Sequence, residues 1–112
     1  MRYDQSAMAF QQFLVAYPIS ELSDYAQYWL AESFYVSQRF DEALPIFNTV
    51  ISDFPASRKV PDALLKIGYC NYELQRWDAA ETALARVVAD YPETTAARLA
   101  SKRLEQLRTE RG

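Results

Sequence analysis

The chain contains no histidine, two glycines and a single cysteine in 112 residues. Without histidine there is no Ser-His-Asp or Cys-His machinery and no His-dependent zinc site. Cys70 alone cannot close an internal disulfide, so cysteine usage leaves the redox compartment open. Scarce glycine argues against a sheet built on tight hairpins and favours helices, whose interiors glycine destabilises. No apolar run is long enough to span a membrane, and Met1-Arg2-Tyr3-Asp4 does not open a signal peptide. Positive charge is short as well. A net charge of −3 lacks the basic face that nucleic acid demands. The one local basic excess, Lys102, Arg103, Arg108 and Arg111, suits the negative end of a helix dipole.

Half the residues are apolar, and they fall into a repeated phrase. Tyr17-Pro18, Phe54-Pro55 and Tyr91-Pro92 lie 37 residues apart, each followed two residues on by Ser20, Ser57 or Thr94. The same shift superposes Arg2-Tyr3-Asp4 on Arg39-Phe40-Asp41 and on Arg76-Trp77-Asp78. A fixed period of this size marks stacked helical units, none of which can bury its apolar face alone. Such a stack points to a binding scaffold and away from an enzyme, and no cofactor or metal is expected.

Between these marks, apolar residues recur at three- and four-residue spacing, the pattern of amphipathic helix. The first run carries Ala9, Phe10, Phe13 and Leu14 and stops at Pro18. The second, from about Leu22 to Ser37, carries Ala26, Trp29, Leu30 and Phe34. The third runs to Phe54 through Ala43, Phe47 and Val50, with Asp41 expected as its N-cap and Pro45 in its first turn. The fourth opens near Pro61 and buries Ala63, Leu64, Ile67, Gly68, Cys70 and Leu74. The fifth is expected to start at a cap on Asp78, and the sixth near Thr94 or Thr95. Short connections make sequential helices pack as antiparallel hairpins. Trp29 and Trp77 read as packing residues, Cys70 as a buried, inert thiol, and Asp41, Glu42, Asp78 and Glu81 as acidic helix starts.

Within each period the pattern resembles the tetratricopeptide repeat. In one unit it is carried by Leu30-Ala31, Phe34, Phe40, Ala43, Phe47 and Pro55. In the next it is carried by Ile67-Gly68, Asn71, Trp77, Ala80, Leu84 and Pro92. The resemblance implies an all-α fold, a right-handed superhelix of antiparallel helix pairs with about six helices in one domain over residues 1–112. Residues 2–17 would supply the second helix of a truncated repeat, 21–55 and 58–92 two further repeats, and 94–110 a C-terminal capping helix. The incomplete first repeat leaves Phe10 and Phe13 short of a partner. It implies a fragment, or self-association in which another copy covers the N-terminal helix.

The usual repeat of this kind is 34 residues, so a period of 37 narrows the comparison. With the Tyr-Pro-x-Ser corner, the stretch Ala-Gln-Tyr-Trp-Leu-Ala-Glu-Ser-Phe-Tyr at 26–35 and the closing Ala96-Ala97-Arg98-Leu99-Ala100, it resembles the C-terminal domain of the Tol-Pal cell-division coordinator family (YbgF/CpoB) of Gram-negative bacteria. That resemblance implies a periplasmic protein that binds TolA and links outer-membrane constriction to septal peptidoglycan synthesis. Outer-membrane assembly lipoproteins of the BamD type share much of the same phrase and stand as the alternative, beside a generic peptide-binding repeat domain.

In tetratricopeptide stacks the first helices of successive units line a groove that receives a peptide or helix. The matching stripe here is Tyr25, Tyr28, Glu32 and Tyr35 on one unit, then Asp62, Leu65, Tyr69, Tyr72 and Glu73 on the next. Tyrosines give large, stiff contact area with a polar tip, as interfaces favour. The partner-binding groove is therefore assigned to Tyr25, Tyr28, Glu32, Tyr35, Leu65, Tyr69 and Tyr72. It lacks the lysines and asparagines that would hold an anionic tail, and it suits an amphipathic or basic-apolar segment. The other reading is that some of these tyrosines only pack between helices.

Overall fold

The computed structural model describes residues 23–111, and among them every regular element is an α-helix. The five are α1 (Ser23–Val36), α2 (Phe40–Asp53), α3 (Val60–Glu73), α4 (Trp77–Asp90) and α5 (Thr95–Arg111). The helix expected over residues 2–17, with Phe10, Phe13 and the first Tyr-Pro corner, lies outside the described residues. By its internal contacts the chain falls into two compact units, Met1–Val60 and Pro61–Gly112.

In the first unit α1 and α2 pack as a hairpin. Ala26, Leu30, Ala31 and Phe34 are buried from α1, and Ala43, Phe47 and Val50 from α2. The turn between them has a defined mechanism. The Gln38 N–H reaches back to the Tyr35 carbonyl (2.9 Å) and the Arg39 N–H to the Phe34 carbonyl (2.9 Å). This pairing closes a helix through one left-handed residue, and that residue is Gln38, at φ 62. A glutamine there costs about 1 kcal/mol that glycine would avoid. The Arg39 guanidinium lies 4.8 Å from the Phe34 ring centroid, so the residue after the turn packs back on the last helical turn.

The second unit repeats the device at the same spacing. Gln75 has φ 62, its N–H meets the Tyr72 carbonyl (3.0 Å), and the Arg76 N–H meets that of Asn71 (2.8 Å). These turns overturn the caps expected at Asp41 and Asp78. The caps fall two residues earlier, at Arg39 and Arg76, neither of which caps with its side chain, and the helices begin at Phe40 and Trp77. Asp41, Glu42 and Asp78 instead sit in first turns, where a carboxylate opposes the positive end of the dipole. Pro45 accordingly falls two positions further into α2 than expected, at the start of its second turn.

The Tyr-Pro-x-Ser corner is built twice among the described residues. Phe54 and Tyr91 close α2 and α4 with N–H bonds to Val50 (3.1 Å) and Val87 (2.9 Å). The chain then reverses through Ser57 N–H to the Phe54 carbonyl (2.9 Å) and Thr94 N–H to the Tyr91 carbonyl (3.2 Å). Proline supplies the fixed φ at the second turn position. The hydroxyl then organises the entry to the next helix. Thr94 Oγ1 accepts from the Ala97 N–H (3.1 Å), capping α5, while Ser57 Oγ accepts from the Lys59 N–H (3.0 Å) and donates to Asp24 of α1.

The tightest approach lies between α3 and α4. A Cβ placed on Gly68 would sit 2.6 Å from Leu84 Cδ2 and 2.7 Å from its Cγ. Leu84 is fully buried, so any shift it makes must displace other core atoms. Gly68→Ala should therefore lower unfolding stability by about 1–2 kcal/mol, because overpacking outweighs the gain in helix propensity. Urea denaturation measures the difference, and an unchanged or raised midpoint would show that the crossing tolerates a methyl group.

Candidate functional site

The outward stripe of α1 differs from the one its sequence suggested. Tyr25, Trp29 and Val36 follow one another along one face and are 40%, 44% and 39% exposed. Tyr28, assigned to the groove, is only 6% exposed, with its ring edge-on to Phe47 at 5.6 Å. Trp29, read as a packing residue, is thus exposed on this helix beside Tyr25. The reason lies in the hairpin. Tyr28 packs on Phe47 of α2, Ala26, Leu30 and Phe34 are buried as well, and the Tyr25–Trp29 side stays exposed. Glu32 and Tyr35 are half-buried, and Tyr35 packs edge-on against Phe40 at 5.5 Å.

A cation sits on this face. Lys59, in the loop after α2, places Nζ 4.7 Å from the Tyr28 ring centroid, 5.2 Å from that of Trp29 and 5.4 Å from that of Tyr25. Tyr28 and Trp29 meet edge to face at 5.3 Å and 83°, forming two walls of the enclosure. Lys59 has no counterpart in a reading of stripes along a single helix. Only the folded corner brings it to α1.

In the second unit, Leu65 of the expected wall is 4% exposed, whereas Tyr69 and Tyr72 are half-buried. Both tyrosines are partnered by α5. The Arg103 guanidinium stacks 4.2 Å from the Tyr69 centroid and 4.8 Å from that of Tyr72. Tyr72 also packs edge-on to Trp77 at 5.4 Å and donates its hydroxyl hydrogen bond to Glu110, beside Gln106. Here α5 occupies part of the surface that the sequence assigned to a partner. On its other side α5 pairs Arg108 with Glu81 (3.3 Å) and Arg111 with Asp78 (3.2 Å) of α4. The basic tail thus answers the acidic start of α4 as well as its own dipole.

Cys70 is fully buried. Among the described residues no three His, Cys, Asp or Glu side chains converge as a metal site, and no helix is long and apolar enough to cross a membrane. An open cleft in the second unit is lined by Ala85, Val88 and Ala89 of α4 and by Leu104, Glu105 and Arg108 of α5. Glu105 and Arg108 stand there at the repeat positions of Gly68 and Asn71, and both are exposed.

Paired helices of fixed period, small residues at their crossing and aromatic side chains presented from a first helix define a helical-repeat interaction module. Tetratricopeptide repeat models match residues 2–58 and residues 62–94. The chain belongs to the tetratricopeptide repeat family, whose domains are interaction modules that bind protein and are typically non-catalytic. No curated protein matches the chain.

The Tyr72–Glu110 contact makes a pH prediction. Accepting the Tyr72 hydroxyl holds the Glu110 carboxyl below the ordinary carboxylate range, with help from Gln106, and the same bond raises the Tyr72 phenol. The contribution of Glu110 to folding is present above the ordinary carboxylate pKa and lost as pH falls through its depressed value. That of Tyr72 is present below the ordinary phenol pKa and lost as pH rises through its raised value. Tyr72→Phe should move the Glu110 carboxyl back up toward its ordinary value in an NMR carboxyl titration. A Glu110 that titrates identically in both proteins would show the bond is not formed in solution.

Proposed function

We propose that this protein is a periplasmic interaction scaffold that binds TolA and coordinates outer-membrane constriction with septal peptidoglycan synthesis. The partner is drawn from the resemblance of the 37-residue phrase and of residues 26–35 to the Tol-Pal coordinator's C-terminal domain. The observation that carries the interaction itself is the aromatic face of α1, where Tyr25 and Trp29 stay exposed on a helix otherwise committed to its hairpin. An aromatic surface with a polar rim takes an amphipathic or extended segment through a few anchoring rings, with affinity concentrated in those rings. Tyr69 and Tyr72 extend the same chemistry in the second unit, and access to them requires α5 to yield or share their faces.

Binding of purified TolA, followed by calorimetry, tests the proposal. Tyr25→Ala with Trp29→Ala should weaken binding at least tenfold while leaving the melting temperature almost unchanged, because neither ring is in the hairpin core. Tyr28→Ala should destabilise the fold, through its contact with Phe47. Undiminished TolA affinity in the folded double variant would remove the α1 face from the site, and no binding by the wild type would remove TolA as the partner.

A further inference from the structure

In the enclosure around Lys59 the host rings pack on one another and on Phe47, whereas the guest is a long, rotamer-rich side chain. Tyr28 is buried and braced by Phe47, and Trp29 is braced by Tyr28. Tyr28 thus has packing partners besides the cation, and Trp29 leans on it. Lys59 reaches them on a four-carbon stem that gives up rotamer freedom to stay there. Its ammonium is also the most strongly hydrated of the basic side chains, and the enclosure must strip part of that hydration.

The loop does not depend on this contact. Its backbone is anchored by the Lys59 N–H on Ser57 Oγ (3.0 Å), by the Ser57 hydroxyl on Asp24, and by the Val60 N–H on the Ser57 carbonyl (3.2 Å). Tyr25 and Trp29, on the open side, remain accessible with Lys59 in place.

We propose that Tyr25, Tyr28 and Trp29 form a binding site for a basic side chain of a partner polypeptide, preferentially arginine, and that Lys59 is a displaceable internal occupant of it. A guanidinium is planar, more weakly hydrated than an ammonium and stacks on aromatic faces, so it gains more from the rings and surrenders less to enter. The chain's net charge of −3 favours approach of a basic segment, and the Asp24 carboxylate, fixed at the corner beside Tyr25, adds to the attraction. The proposal rests on the reading of α1 as the partner-facing helix and adds the partner's chemistry: a cationic side chain amid apolar contacts. Lys59 then sets a threshold, since a partner must outcompete it.

The test uses the full chain and a short blocked peptide with one arginine between leucines, read on the Trp29 indole N–H by NMR. Lys59→Ala should bind this peptide about tenfold more tightly than wild type, and a citrulline peptide of the same shape should give no response. A Lys59→Ala protein that ignores the arginine peptide, or responds equally to citrulline, overturns the proposal. If that variant is unfolded, the wild type decides. Its Lys59 methylene protons should be shifted upfield by the rings relative to those of Lys102, and should relax downfield as peptide is added. Unshifted Lys59 protons overturn the enclosure itself. Saturation by tetramethylammonium without any peptide response would mean a site for small cations and would overturn the polypeptide assignment. Because no TolA is involved, failure here leaves the proposed partner standing, whereas lost TolA binding with an intact peptide response sinks that partner alone.

Discussion

Each helix pair is held by a side chain from its second helix that is entirely excluded from water, Phe47 in the first unit and Leu84 in the second. Those two residues occupy the same position of the 37-residue period, and much else depends on seating them. Leu84 requires Gly68 beneath it, while the corresponding position in the first unit is Ala31. Phe47 packs against the edge of Tyr28, which is buried, while Tyr25 and Trp29 remain outside. Burial of this kind dominates the stability of small helical units, because individual surface pairs contribute little.

The turns and corners serve that packing without depending on glycine. Gln38 and Gln75 accept a left-handed backbone that glycine would adopt more easily, a local cost carried by hairpins whose cores are well filled. The proline corners reverse the chain with their own backbone bonds and then hand over to a hydroxyl. Thr94 caps the next helix, whereas Ser57 ties the loop to Asp24, so the same sequence phrase performs two different local tasks. At the end of the chain, α5 meets the acidic start of α4 with Arg108 and Arg111 and meets the tyrosines of α3 with Arg103 and Glu110.

The helices, their hairpin order and most of their buried positions were legible in the apolar periodicity, because a fixed period forces equivalent residues into equivalent places. The capping reading of Asp41 and Asp78 failed because it looked for a side-chain acceptor, whereas the preceding helix is closed by backbone bonds around Gln38 and Gln75. The exchange of Tyr28 for Trp29 failed for a different reason. Residues 28 and 29 are about 100° apart on a helix, and which one faces out depends on the angle at which α2 crosses, which no single-helix stripe contains. Even so, the spacing 25, 29, 32, 36 was present in the sequence as a second admissible stripe. Lys59 and Arg103 were illegible in principle, since each acts on rings supplied by another element.

The Tyr25–Trp29 side of α1 lies open to solvent, and the proposed site stands or falls with that orientation. The most direct measurement is acrylamide quenching of a Trp77→Phe protein, in which Trp29 is the only tryptophan. An indole open to water should show red-shifted emission and efficient quenching. Blue-shifted emission resistant to acrylamide in the folded protein would place Trp29 in a core and contradict the orientation of α1.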